Sequence, residues 1–250
     1  MRATFETMGT VVSLEWAGDD RALSAVRAVF EAADRRFSLY RPDSELSRIA
    51  DGSLELLDAS TELREVYATA LGWRGETGGA FTPHRPDGAL DLNGIVKAWA
   101  MAEAGRALGD GDWCLNVGGD VLVSGRAASG APWLVGIVDP ADRASLLTAV
   151  PLVGGRRAAA TSGSAERGDH IWTRGREGAE FVQVTVLADD IVTADVLATA
   201  IVSGGAVSLD DVTGRFDIDV LTVDAEGALR ATPGMRELVS DSVEHATSAR

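Results

Sequence analysis

The sequence predicts an α+β fold, and three observations carry that expectation. Strand-like and helix-like stretches do not alternate cleanly along the chain, as they would in a doubly wound sheet. Hydrophobic residues make up 46% of the 250 residues at a mean hydropathy of +0.05, which allows a sizeable core. No internal repeat, low-complexity run or linker divides the chain, so a single domain over 1–235 with a polar, fraying C-terminal tail over 236–250 is expected.

The elements follow in order. Thr4–Trp16 is rich in β-formers (Val11, Val12, Leu14, Trp16) and reads as a strand or hairpin arm. Asp19 or Asp20 can cap a helix to about Arg36, whose apolar positions Leu23, Val26, Phe30, Ala33 and Phe37 recur at three and four. After a break at Ser38–Pro42, Ser44 can cap a short helix. Ser60 or Thr61 opens another, with Leu63, Val66, Tyr67, Ala70 and Leu71 along one stripe and Gly78-Gly79 at its end. Phe81–Leu90 is a proline-containing loop. Ile95–Leu108 is Ala-rich and proline-free, which favours helix.

Trp113–Val117 and Val121–Ser124 read as strands joined at Gly118-Gly119-Asp120. Leu134–Val138, Leu146–Val153 and Arg157–Thr161 are further strands, and Thr161–Asp169 is small and polar, hence a loop. Phe181–Leu187 alternates as a strand. Thr193 is expected to cap a helix to about Ser203. A last hairpin joins Asp217–Val223 to Ala228–Ala231 around Glu226-Gly227.

Bulk charge excludes some functions. A net charge of −15 and a pI near 4.6 argue against non-specific nucleic-acid binding and against an anionic membrane surface. No apolar run reaches membrane-spanning length and MRATFETMGT holds no signal-type apolar segment, so no membrane insertion and a cytoplasmic location are expected. The single cysteine, Cys114, excludes an intrachain disulfide and a cysteine-based zinc cluster; its neighbours Trp113 and Leu115 suggest an inert thiol. One basic island interrupts the acidic chain. Between Gly154 and Gly178 stand five arginines (156, 157, 167, 174, 176) and three acids, which suits either an anion site or a solvated loop.

Lys97 is the only lysine, against 22 arginines. In the first turn of its helix a cation opposes the helix dipole, which makes sense if an anion docks at that helix start; a snorkelling surface lysine is the alternative. Asp195 and Thr199 stand four apart on a helix, hence on one face. A carboxylate and a hydroxyl one turn apart suit Mg²⁺, which takes few protein ligands; equally, the dipole favours Asp in a first turn and Thr can bond its own backbone. TSGSAERGDH offers Ser162, Ser164, Glu166 and His170, without the G-x-S-x-G of a nucleophile elbow. His170 is the histidine placed to move a proton, and His84 and His245 read as bystanders. Gly118 and Gly119 lack dinucleotide-fingerprint spacing and suit a tight turn or close backbone approach to a ligand. Metal, lysine, histidine and glycine turns together fit chemistry on a phosphoanhydride.

These segments, in order, resemble the FAD:protein FMN transferases, the ApbE family. Met8–Thr10 (MGT) is similar to the family's opening motif, Phe37–Ala50 (FSLYRPDSELSRIA) to its second and Thr77–Phe81 (TGGAF) to its third. DLNGIVKAWA resembles DLGGIAKG, NVGGD the glycine turn, ATSGSAERGDHI the Ser-Gly-to-His segment, and VTADVLATA the ADALATA metal helix. The resemblance implies an ApbE-like, T-fold-related α+β fold of mixed sheets with flanking helices. It implies FAD as substrate, Mg²⁺ as cofactor, and transfer of FMN to a Thr or Ser hydroxyl of an acceptor protein with release of AMP. It places the metal on the Gly94 carbonyl, Asp195 and Thr199. Lys97 and Asp91 fall by the FAD phosphates and nucleotide, Met8 and Tyr40 by the flavin, and Ser162, Gly118, Gly119 and Ile171 along the site. His170 becomes the group that helps deprotonate the acceptor. A FAD carrier without transferase activity and a FAD pyrophosphatase are the alternative functions. The chain departs from the family's pattern in three places. Asp91 follows Pro83 by only eight residues, so a flavin-contacting stretch is missing or rebuilt; Ala98 replaces a glycine, and Ile171-Trp172-Thr173 replaces Ile-Asp-Pro.

Overall fold

The computed structural model describes residues 1–163 and 180–248, with side chains as far as Ser240. The elements run β1 (Arg2–Thr7), β2 (Thr10–Trp16), α1 (Asp20–Phe37), α2 (Glu45–Ala50), a 3-10 turn (Leu56–Asp58), α3 (Thr61–Glu76), α4 (Asn93–Leu108), β3 (Trp113–Val117), β4 (Asp120–Ser124), β5 (Leu134–Val138), β6 (Leu146–Pro151), β7 (Ala158–Gly163), β8 (Phe181–Ala188), α5 (Ile191–Arg215), β9 (Asp219–Asp224), β10 (Leu229–Ala231) and α6 (Pro233–Ser248).

The expected α+β fold is what forms. Eight strands make one sheet in the order β1-β2-β3-β4-β7-β8-β9-β10, and β5 and β6 form a separate hairpin. Every pair among the described residues is antiparallel, which refines the expected mixed sheets. The central strands are buried on both faces, and alternate residues serve different cores. Leu122, Ala158, Ala160, Val184, Val186 and Val220 face a large core shared with α1, α3, α4 and α5. Val121, Val123, Ala159, Leu187 and Leu221 face a smaller core closed by Val135, Ile137, Val150 and Leu152 of the hairpin and Met235 of α6. The sheet is thus the middle of three layers.

Side-chain oxygens start most helices where a free N–H needs a partner. Asp19 accepts from the Arg21 amide (3.0 Å), Ser44 from Ser47 (3.0 Å) and Ser60 from Leu63 (3.3 Å). Helices α4 and α5 are core helices with little amphipathic character: Ile95, Val96, Ala98, Ala100, Met101 and Ala104 of α4 are all buried. Helix α5 is long and apolar enough to cross a membrane, but most of that length is packed inside the protein, as a core helix would be.

Several expectations change. Thr4–Trp16 is a hairpin turning at Met8-Gly9. Thr193 does not cap α5; Asp190 does, accepting from the Thr193 amide (2.9 Å) and hydroxyl (2.5 Å). The first helix ending at about Ser203 is real, but a second helical piece continues to Arg215 beyond a break at Gly205, whose φ of 66° admits glycine most easily. Ser162 and Gly163 belong to β7 rather than to a loop. The tail beyond Pro233 is helical, and Leu238 and Val239 pack beside Met235 against the smaller core.

Candidate active site

A cleft of about 580 Å³ opens where the β1–β2 turn, the start of α4, the end of β3 and the middle of α5 converge. Met8, Tyr40, Asp91, Gly94, Lys97, Gly118 and Thr199, all expected at the site, line it. They come from five separate parts of the chain, and only the tertiary fold gathers them.

The loop before α4 aims the first group. The Asp91 amide donates to the Pro83 carbonyl (2.8 Å), and the Asp91 carboxylate accepts from the Asn93 amide (2.9 Å), opening the helix. Because α4 begins at Asn93, Lys97 stands just past its first turn rather than within it. Gly94 packs against Phe81; a Cβ there would lie 3.0 Å from the ring. The glycine turn faces the β1–β2 turn. Gly118 donates its N–H to the Val11 carbonyl (3.1 Å). Its φ is +61°, and an added Cβ would come within 2.6 Å of Thr10 Oγ1. Only glycine lets these two turns meet. Met8 holds a left-handed φ of 49°, uncommon for a non-glycine residue and typical of a locally constrained site. Tyr40 is 85% exposed at the rim and presents its ring to the cleft.

The floor is electrostatic. The Lys97 ammonium pairs with the Asp120 carboxylate and lies 3.9 Å from Asp195 Oδ1. Both carboxylates are buried, at 1% and 0% exposure, while Lys97 keeps 21% and reaches the cleft. Asp120 Oδ1 also accepts from the Thr161 amide (3.0 Å), which ties β4 to β7. Burial pushes the Asp120 carboxyl up to about 6, against the pull of Lys97 and with Asp195 adding to the rise. Among the described residues, two buried acids stand beside one cation at the floor, an arrangement of hard oxygen donors that a divalent cation can use.

Thr199, one turn beyond Asp195 on the same face, shares a hydrogen bond of 3.1 Å with Ser162 Oγ. Asp195, Thr199 and the nearby Gly94 backbone offer only hard oxygen donors. That set fits Mg²⁺ and suits soft metals poorly. Among the described residues no cluster of three or more His, Cys, Asp or Glu side chains forms a closed metal site. A site with few protein ligands leaves room for water and substrate oxygens.

The structure also corrects the expected residue set. Asp120 was read only as the end of a glycine turn; its signal was an acid opening a strand whose next three residues, Val121, Leu122 and Val123, are apolar. His84, expected as a bystander, lines the cleft together with Arg85 and Arg143. Its Nε2 hydrogen-bonds the Tyr67 hydroxyl (3.1 Å), with the two rings edge to face. The shortened loop is a tight hairpin: the Arg85 amide donates to the Ala89 carbonyl (2.9 Å), and His84 bridges Leu90. Within the basic island, Arg156 is structural. Arg156 is bound to Asp219 (2.8 Å) and Asp217 (2.7 Å), away from the cleft. Gly119 is not among the cleft-lining residues; its amide donates to Asn116 Oδ1 (3.2 Å) and braces the turn. His170 and Ile171 lie outside the described residues. The Cys114 thiol is pushed up to about 11 by burial, in keeping with an inert role.

Comparison with known proteins adds independent support. The profile of the ApbE family matches residues 8–85 and 82–221. A FAD:protein FMN transferase of Vibrio cholerae is 26% identical over 305 aligned positions, covering 94% of this chain and 89% of that protein. Among solved structures, the fold is similar to the flavin transferase ApbE from Vibrio cholerae, at a TM-score of 0.78 and 23% identity over 95% of this chain and 98% of that one. It is also similar to the ApbE protein of Thermotoga maritima, at a TM-score of 0.79 and 20% identity over 96% of this chain and 99% of that one. Two matched segments that together span most of the sequence, set on this shared fold, show that the chain belongs to the ApbE family.

Proposed function

We propose that this protein is a Mg²⁺-dependent FAD:protein FMN transferase. The observation that carries the reading is the juxtaposition, at one cleft, of Lys97, Asp120, Asp195 and Thr199, drawn from α4, β4 and α5. The family and the curated relative of that activity support it.

In the reaction a Thr or Ser hydroxyl of the acceptor attacks the FMN-side phosphorus of FAD. A new P–O bond forms, the bond to the AMP phosphate breaks, the hydroxyl proton leaves to a base, and AMP departs. Asp195, Thr199 and the Gly94 carbonyl would hold Mg²⁺, which would supply charge neutralisation for the two phosphates. The chain's own residues do the rest. Lys97 extends a compact ammonium from the floor towards the cleft and offers its donors to a phosphate oxygen. Gly118 gives the backbone close approach, with Ser162 and Gly119 supporting the ends of β7 and of the turn. Met8 and the exposed Tyr40 ring offer an apolar surface for the flavin, and Asp91 a carboxylate for the nucleotide. His170 is assigned the proton transfer from the acceptor, a role its chemistry suits.

One incubation tests the reading. The protein is mixed with FAD, Mg²⁺ and an acceptor carrying a flavinylatable Thr, and covalent flavin and AMP are measured. Both products are expected. AMP without covalent flavin identifies a pyrophosphatase instead, and neither product identifies a FAD carrier.

A further inference from the structure

Strand β1 is an end strand of the eight-stranded sheet, and it runs straight into the cleft. Its last residue, Thr7, pairs with Thr10, and the turn between them, Met8-Gly9, lines the cleft together with Thr10. The strand at the other end of the sheet, β10, contributes nothing to that lining. The hydrogen-bond phase of the hairpin is fixed at its far end, where the Trp16 amide donates to the Met1 carbonyl (3.0 Å). Alternation along an antiparallel pair then turns the backbone groups of Ala3, Phe5 and Thr7 towards β2, and those of Arg2, Thr4 and Glu6 away from it. Among the described residues no strand pairs with that outer side. The strand is held from below: the Phe5 ring meets Phe30 edge to face, with centroids 6.1 Å apart, and the Arg27 guanidinium lies 4.4 Å from its centre. The opposite face carries the exposed side chains of Arg2, Thr4 and Glu6, with exposed Val11 across from Glu6.

We propose that the outer edge of β1 is the docking strand for the acceptor protein: an extended acceptor segment adds to the sheet there, and its Thr or Ser hydroxyl is delivered to the cleft beside Met8. The inference rests on the reading of this protein as an FMN transferase, whose second substrate is a protein segment. An open strand edge supplies main-chain hydrogen bonds to any extended segment, and affinity of this kind needs no particular side chain. Its continuity with the cleft is what singles out the acceptor as occupant. Thr4 stands four residues before Met8, roughly 13 Å of extended chain, so a segment paired at Thr4 reaches the site within a few residues. The charges of Arg2 and Glu6 keep such an edge from pairing indiscriminately.

Thr4→Pro tests this, because it deletes one outward N–H and leaves the β1–β2 hydrogen bonds in place; proline is tolerated at such edge positions. With FAD, Mg²⁺ and an acceptor carrying a flavinylatable Thr, the KM for the acceptor should rise on the order of tenfold. The kcat at saturating acceptor and the affinity for FAD should stay near wild type. Thr4→Val, which keeps the amide, should retain the wild-type KM. In the wild type, amide hydrogen exchange at Thr4 and Glu6 should slow when the acceptor is present at saturation. An unchanged KM in Thr4→Pro, an equal rise in Thr4→Val, or no slowing of exchange overturns the proposal. Should Thr4→Pro not fold, the exchange measurement on the wild type decides alone. Failure of the transferase reading gives a different result, no covalent flavin from the wild type at any acceptor concentration, and that outcome removes the proposal together with the reading beneath it.

Discussion

Ser162 Oγ and Thr199 Oγ1 share a hydrogen bond of 3.1 Å that joins β7 to α5 at the cleft. The contact separates two roles a threonine can have. If Thr199 only braces the strand, Thr199→Val and Ser162→Ala should behave alike, since each removes one half of the same bond. If its hydroxyl is a cation ligand, Thr199→Val should raise the Mg²⁺ concentration for half-maximal AMP release by about tenfold or more, because Mg²⁺ tolerates poorly the loss of one of few ligands. Ser162→Ala should then shift it far less. Equal shifts in the two variants would assign Thr199 to structure alone.

The meeting of the two turns gives a stability prediction. Gly118→Ala places a Cβ 2.6 Å from Thr10 Oγ1 at a φ of +61°. The combined clash and backbone cost should lower the unfolding free energy by about 1–3 kcal/mol in urea titration. Adding Thr10→Ala removes the clash but not the left-handed backbone cost, so roughly 1 kcal/mol of loss should persist. Full recovery would show that space alone demands glycine there.

How much of this was legible in the sequence varies by residue for physical reasons. Asp195 and Thr199 could be paired in advance because helical spacing fixes which side chains share a face. Helices capped by Asp19, Ser44 and Ser60 could be placed because capping is local chemistry. Asp120 could not be matched to Lys97, since their contact exists only once β4 lies beside α4 and α5. His84 was passed over for the same reason: its partner Tyr67 is on α3, 17 residues earlier. The break at Gly205 reads in sequence as an ending, whereas the chain resumes a helix after one left-handed residue.

The Tyr67–His84 pair gives a kinetic prediction. His84 lines the cleft in the shortened loop, and Tyr67 fixes one of its ring nitrogens. Removing the tyrosine hydroxyl frees the imidazole to rotate but leaves the floor untouched. Tyr67→Phe should therefore raise the KM for FAD several-fold, about 1 kcal/mol of binding, with kcat little changed. His84→Ala should do the same or more. A fall in kcat at unchanged KM would instead place His84 in the chemical step.

Burial of the Asp120 carboxyl gives a signed pH prediction for the metal-free protein. Its ordinary value is 3.8 and its value in the fold is about 6. Between those two the native state holds a proton that the unfolded chain has released, so stability contributed by this group falls as pH rises. The loss begins near the ordinary value and is complete once pH passes the folded one. A difference of this size corresponds to on the order of 3 kcal/mol. Asp120→Asn has no proton to lose. With chelator present, the unfolding free energy of the wild type minus that of Asp120→Asn should therefore decrease from pH 4 to pH 7 and level off above about 6. Lys97 works against this trend by stabilising the ionised form. In a Lys97→Gln background the same difference should fall further, and its midpoint should move to higher pH. A difference that instead grows with pH would mean that the Lys97 pairing outweighs burial and that Asp120 is ionised throughout.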